Sequence, residues 1–159
     1  MSKRIGSELP DAVFELLNGE DLERHFRKAM LFITLDEAGW PYAAMLSPLE
    51  VVALNRGSIQ IGIWDGSTTV KNVKSDEKVA LMVIDYDLVY YIQGTAAVAP
   101  LEQIPGMVKV DFAIHSVLED RAREYEGDAH VTSGITFDNP HIDAAYLDRA
   151  RSLLASLKG

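Results

Sequence analysis

Residues 31–42 read Leu31-Phe32-Ile33-Thr34-Leu35-Asp36-Glu37-Ala38-Gly39-Trp40-Pro41-Tyr42, and their period decides the fold class. Met30, Phe32 and Thr34 alternate with Leu31, Ile33 and Leu35, the two-residue repeat of a strand rather than the 3.6-residue repeat of a helix. Asp36-Glu37-Ala38-Gly39 follows as turn chemistry, with Gly39 available for a positive φ. Tyr42 to Leu54 continues as strand. Pro48 cannot donate to a ladder, so it places an edge, a bulge or a bend there. After the turn Asn55-Arg56-Gly57, residues Ser58 to Trp64 set Ile59, Ile61 and Ile63 on one face against Gln60 and Gly62 on the other.

Working outward, Val79 to Asp85 and Leu88 to Val98 read as two more strands joined at Tyr86-Asp87. Val108, Val110, Phe112 and Ile114 mark a further strand, and Thr132 to Phe137 a short last one. Helical spacing appears at the two ends. Asp11 to Lys28 carries apolar residues three to five apart, and Asn18-Gly19 divides it into helices at Pro10–Leu17 and Glu20–Ala29. Ile142 to Leu157 carries the stripe Ala145, Leu147, Ala150, Leu153, Leu154 and Leu157. Between strands, Asp65-Gly66-Ser67 is a stop, and Ser67 or Thr68 can cap a short helix over Thr69–Ser75. Hairpin-length connections favour antiparallel pairing. The expectation is an α+β chain, mainly β with flanking helices: an antiparallel barrel of about six strands in one domain, residues 1–159, with helices at about 10–29 and 142–157. Strand–helix alternation and the glycine-rich dinucleotide fingerprint are absent.

Composition narrows the function. A formal net charge of −9 argues against a broad nucleic-acid surface, which needs clustered Lys and Arg. The densest basic group, Arg24, Arg27 and Lys28, reads as a solvated helix face. With no cysteine, disulfides and thiol chemistry are excluded. No apolar run approaches the roughly 18 residues of a membrane span, and no apolar segment follows Lys3 and Arg4 as a secretory signal would require. A cytoplasmic protein is expected. Asp85 and Asp87 read as solvated turn carboxylates, and Glu119 to Glu126 as a mixed-charge helix or loop. Tyr42 and Trp64 read as core aromatics. His25, His115, His130 and His141 lack His-x-x-x-His spacing and read as scattered surface residues.

From Ala29 to Val98 the residues resemble the pyridoxamine 5′-phosphate oxidase-like FMN-binding split barrels. The similarity lies in four ordered blocks: the hairpin from Leu31 to Tyr42 with its Gly39-Trp40-Pro41, the strand Gly57 to Trp64, the segment Ser67 to Leu81, and Val89-Tyr90-Tyr91-Ile92-Gln93-Gly94-Thr95-Ala96. The resemblance implies an antiparallel split barrel and a homodimer with two flavin mononucleotide (FMN) sites at the subunit interface. It places the phosphate near Ser67, Thr68, Thr69, Lys71 and Asn72, facing the strand Ala44 to Leu49. Met45, Leu46, Ser47, Ile63 and Trp64 would line the cofactor. Hydroxyls and a lysine at a helix start suit an anion on physical grounds as well. Where the flavin-binding oxidases carry an Arg on the strand and Arg-Lys in the turn, this sequence has Ala44, Thr68 and Thr69. No Trp follows Trp64, so the C-terminal Trp and Arg pattern of the true oxidase is missing. The resemblance is therefore to the general-stress-protein and small-flavoprotein branch. It implies an FMN-dependent oxidoreductase acting on a small molecule, with no nucleic-acid or membrane partner. Two alternatives are a non-catalytic or stress-response module that has lost FMN, and a haem or metal binder using His115, His130 and His141.

Overall fold

The computed structural model describes residues 2–122 and 124–159. Among them the chain forms nine strands and four α-helices. In order these are β1 (Ser2–Gly6), α1 (Asp11–Leu17), α2 (Leu22–His25), β2 (Lys28–Leu35), β3 (Pro41–Leu46), β4 (Val51–Asn55) and β5 (Ser58–Trp64). There follow α3 (Thr68–Ser75), β6 (Lys78–Asp85), β7 (Leu88–Pro100), β8 (Met107–Asp120), β9 (Ile135–Thr136) and α4 (Ala144–Lys158). The strand order is β3-β2-β6-β7-β8-β5-β4, and every pairing is antiparallel. β3 and β4 end the order without pairing to each other, so the sheet curls but does not close. This is the split barrel of the α+β expectation.

The alternation read from the sequence places the core. Phe32, Ile59, Ile61, Leu81, Ile92, Val110 and Phe112 all point inward and are buried. Phe32 and Phe112 meet across the barrel with ring centroids 6.1 Å apart. Each such side chain contributes about 1.5–3 kcal/mol by leaving water. A second apolar cluster lies outside the sheet, where Ala150, Leu154 and Leu157 of α4 pack on Leu49 and Val52. Asp143 fixes the start of α4, its carboxylate accepting from the Tyr146 N–H at 2.8 Å.

β8 turns the barrel corner. Its first half, Met107 to Ala113, pairs with β5, and its last residues, Val117 to Asp120, pair with β1. β7 runs beside both halves, and its register slips between Gln93 and Gly94, which oppose Ser116 and Ile114. His115 is therefore the extra residue of a β-bulge, which bends β8 at the change of neighbour. Gly94 is required there. A Cβ on it would overlap the Ala113 carbonyl oxygen and lie 2.7 Å from the Phe112 ring.

Several expectations are corrected. The strands number nine rather than about six. β1 escaped notice because Ser2 to Gly6 is polar and exposed, held by the end of β8 rather than by burial. The second helix is four residues rather than Glu20–Ala29, because Lys28 and Ala29 pair with Thr136 and Ile135 and strand pairing overrides the helical spacing. β9 covers only Ile135–Thr136 of the Thr132–Phe137 run. Glu119 and Asp120 belong to β8, and a single 3-10 turn follows at Glu124–Glu126. Arg123, in the same run, lies outside the described residues. Arg24, Arg27 and Lys28 do not share a helix face. Arg27 pairs with Asp138, and Lys28 is a half-buried strand residue bound to Asp85 at 2.5 Å. Asp85 is thus no free turn carboxylate. Burial alone would raise it, but the hydrogen bond from Lys28, the Tyr86 N–H and the Lys28 charge hold it below the ordinary range. His25 is buried rather than on the surface, its Nδ1 without a hydrogen-bond partner among the described residues. Burial, then the charges of Lys28 and Arg24, lower its pKa. No helix among the described residues is long and apolar enough to cross a membrane.

Gly94→Ala should destabilise the fold by about 2–4 kcal/mol, since backbone rather than a movable side chain blocks the new methyl. The urea midpoint measures this. A shift equivalent to under about 0.5 kcal/mol would show that the two strands can part at no cost.

Candidate functional site

The sequence places its candidate residues in two groups, and the structure joins them through Trp64. Ser67 caps α3, its Oγ accepting from the Val70 N–H at 3.2 Å, while its own N–H donates to the Trp64 carbonyl at 3.2 Å. Thr68 and Thr69 begin the first turn, where backbone N–H groups have no acceptor inside the helix. The helix dipole adds partial positive charge at the same place. Thr69 and Asn72 face inward and are buried; Thr68 and Lys71 face solvent. Asn72 is anchored, with Nδ2 donating to Thr34 Oγ1 at 3.0 Å, which ties α3 to the middle of β2. The Lys71 Nζ lies 3.2 Å from Glu37 in the turn between β2 and β3, and both side chains are about two-thirds exposed. Such a pair is worth about 0.2–1 kcal/mol, so it yields readily to a stronger anion.

The other group lines a groove. Leu46, Ile63 and Trp64, with Leu49 and Glu50, form one wall of a cavity of about 850 Å³ whose other wall is Tyr146, Arg149 and Leu153 of α4. Gly62 forms part of the floor, and a Cβ there would meet Leu153 at 2.9 Å, so glycine sets how closely α4 sits on β5. Ser47 is buried and serves Glu50 rather than the open groove. Its N–H and its hydroxyl each donate to the Glu50 carboxylate at 3.0 Å. Burial raises the Glu50 pKa, and the two hydrogen bonds offset this only in part. Met45 is exposed on the edge strand β3 and does not line the groove. Trp64 is 64% exposed and Tyr42 39%, so neither is the core aromatic expected; Tyr42 lies on the edge strand β3, and Trp64 is the last residue of β5. Ala44 pairs with Phe32 and brings no charge to this edge.

Glu50, Tyr146 and Arg149 were missed. Glu50 had a faint signal, a lone acid in Pro48-Leu49-Glu50-Val51-Val52. Arg149 had none, since only the docking of α4 brings it to the groove. The histidines do not gather. His115 hydrogen-bonds Thr95 at the β-bulge, 3.2 Å away, while His130 stacks edge-on against Tyr86. No group of three or more metal-ligating side chains occurs among the described residues.

Comparison with solved structures places the fold. The chain superposes on a candidate pyridoxamine 5′-phosphate oxidase from Lactobacillus delbrueckii with a TM-score of 0.59 and 18% identity, covering 72% of this chain and 98% of that one. It also matches HupZ of Group A Streptococcus (TM-score 0.56, 14% identity, covering 79% and 99%) and an F420 reductase (TM-score 0.53, 13% identity, covering 69% and 98%). The architecture is thus that of the pyridoxamine 5′-phosphate oxidase-like split barrels. No protein-family model matches the sequence. The chain belongs to the family of the uncharacterized protein YclD of Bacillus subtilis strain 168, with which it is 32% identical over 152 residues, 94% of this chain and 96% of that protein.

Two stability measurements test these assignments. Asn72→Ala should cost about 1–3 kcal/mol in urea unfolding, because it leaves the buried Thr34 hydroxyl without its donor. An unchanged midpoint would remove this bond from the anchoring of α3. A raised Glu50 pKa means that the folded chain holds the proton more tightly than the unfolded chain. Stability from this group therefore falls as pH rises from the ordinary carboxylate range through the raised one. The difference in Tm between Glu50→Gln and the parent should move in favour of the variant as pH rises from the ordinary carboxylate range. A difference that stays constant or moves the other way would place Glu50 in a polar environment.

Proposed function

We propose that the protein is an FMN-binding flavoprotein, a flavin-dependent oxidoreductase, working as a homodimer in the cytoplasm. The observation that carries this is the start of α3: its threonines, first-turn amides and the loosely held Lys71 follow, by one hydrogen-bonded turn, Trp64, which lines an apolar groove. That donor set fits a phosphate, and the adjoining apolar wall fits a flat ring. Ser67, Thr68 and Lys71 would hold the phosphate, with Thr69 contributing its backbone N–H rather than its buried side chain. Asn72 would keep the helix in place through Thr34. Leu46, Ile63 and Trp64 would flank the ring, while Met45 and Ser47 support that wall from the edge strand and from Glu50. When bound, FMN supplies the electron and hydride transfer; the chain binds, orients and keeps water from the ring. The family resemblance and the fold shared with the pyridoxamine 5′-phosphate oxidase-like proteins support the same reading.

The homodimer is supported by the edge strand β3 and its approach. Trp40, Tyr42 and Met45 are large, apolar and exposed on adjoining residues of one open edge. Such an edge is usually covered. The second reading, a module that has lost the cofactor, is favoured by the uncharged Ala44 and by Lys71 lying against Glu37. Among the described residues no arrangement of histidines supports the haem or metal reading.

Titration with FMN, followed by quenching of its fluorescence, decides between the first two. Saturable binding is expected, with Lys71→Ala weakening it at least several-fold, because a charge-assisted contact contributes about 1.5–3 kcal/mol. No quenching at millimolar FMN would establish the second reading instead.

A further inference from the structure

The groove between α4 and the ends of β3 and β5 has the size of a small-molecule site. Its volume of about 850 Å³ falls within the roughly 300–1,000 Å³ usual for such pockets. Leu46, Leu49, Ile63, Met107 and Leu153 make its lining mainly apolar. Three charged side chains interrupt it, and two of them are already engaged. Both Glu50 oxygens accept from Ser47, and burial pushes that carboxyl toward its neutral form. Asp148 binds Arg151 at 3.0 Å, and Glu23 of α2 binds the same arginine.

Arg149 is the exception. It stands at the rim with its guanidinium 5.5 Å from the Tyr146 ring centroid and has no carboxylate partner among the described residues. The ring orients the guanidinium while leaving its planar N–H fork free. An apolar body is favoured by the walls, and an anionic end by this one fork. A ligand with several charges is disfavoured, because a single cation faces it and the protein carries a formal net charge of −9.

We propose that this groove binds an apolar small molecule bearing a single anionic group, its body against Ile63 and Leu153 and its anion on Arg149. The site deepens the flavin reading and rests on it in one respect: Leu46, Ile63 and Trp64 belong to both, so the bound molecule lies beside the ring as its reaction partner. The selectivity is for charge and hydrophobicity together, and it comes from α4 rather than from the barrel.

The test uses two matched probes on the full chain, anilinonaphthalene sulfonate and phenylnaphthylamine, which has the same rings without the sulfonate. Trp40→Phe leaves Trp64 as the one tryptophan donor for energy transfer to bound dye, and the groove variants report where that dye lies. Both dyes should bind with one site per chain, the sulfonate more tightly. Arg149→Gln should weaken the sulfonate about tenfold and the neutral dye less than twofold. Ser152→Phe, which fills the groove from an exposed helix position without adding a tryptophan, should abolish both. Thermal melts confirm that each variant is folded. The proposal is overturned if neither dye binds, if Arg149→Gln leaves the sulfonate unchanged or weakens both dyes equally, or if Ser152→Phe has no effect. FMN titration of the same variants keeps the two readings apart. Arginine-dependent dye binding without FMN binding retains the groove and removes the cofactor. FMN binding with arginine-independent dye binding does the reverse.

Discussion

The close approach of β7 and β8 at Gly94 is the constraint on which the barrel depends. β8 must serve β5 along one half and β1 along the other, and a straight strand cannot face both. The extra residue, His115, bends it at the handover, and only a residue without a Cβ lets β7 follow the bend. The Phe32–Phe112 contact lies directly inside it and fills the space that the curvature creates.

The barrel was legible in the sequence wherever one face of a strand is buried. In β2 and β7 burial alternates along much of the strand and writes a two-residue period, whereas in β5 Ile59, Ile61 and Ile63 alternate with Gln60 and Gly62, which are buried as well. The turn glycines and Ser67 were legible for the same local reason. β1 was not, since its residues are exposed and its position comes from hydrogen bonds to β8. The short α2 was misread as a longer helix because the pairing of Lys28 and Ala29 with β9 is a contact between residues more than a hundred positions apart. Long-range pairing leaves no local period.

The candidate site divides along the same line. The α3 half could be read because a capping serine, two threonines and a lysine are consecutive. The α4 half could not, because Arg149 sits on the exposed face of an amphipathic helix and looks like any solvated arginine. Trp64 and Tyr42 were misplaced in the core because strand-end aromatics are usually buried, whereas here Tyr42 lies on the edge strand β3 and Trp64 at the exposed end of β5. Ser47 and Glu50 form a small hydrogen-bonded unit in the wall of the groove. The result is a site with a polar helix start at one end, an apolar wall in the middle and a single free cation among the described residues at the other.

Hydrogen–deuterium exchange of the full chain with and without FMN tests the central claim most directly, because it reports where the ligand lies. The account predicts added protection at the Thr68 and Thr69 amides and around Ile63 and Trp64, with the β1–β8 pairing unchanged. Protection confined to other strands, or none at saturating FMN, would contradict it.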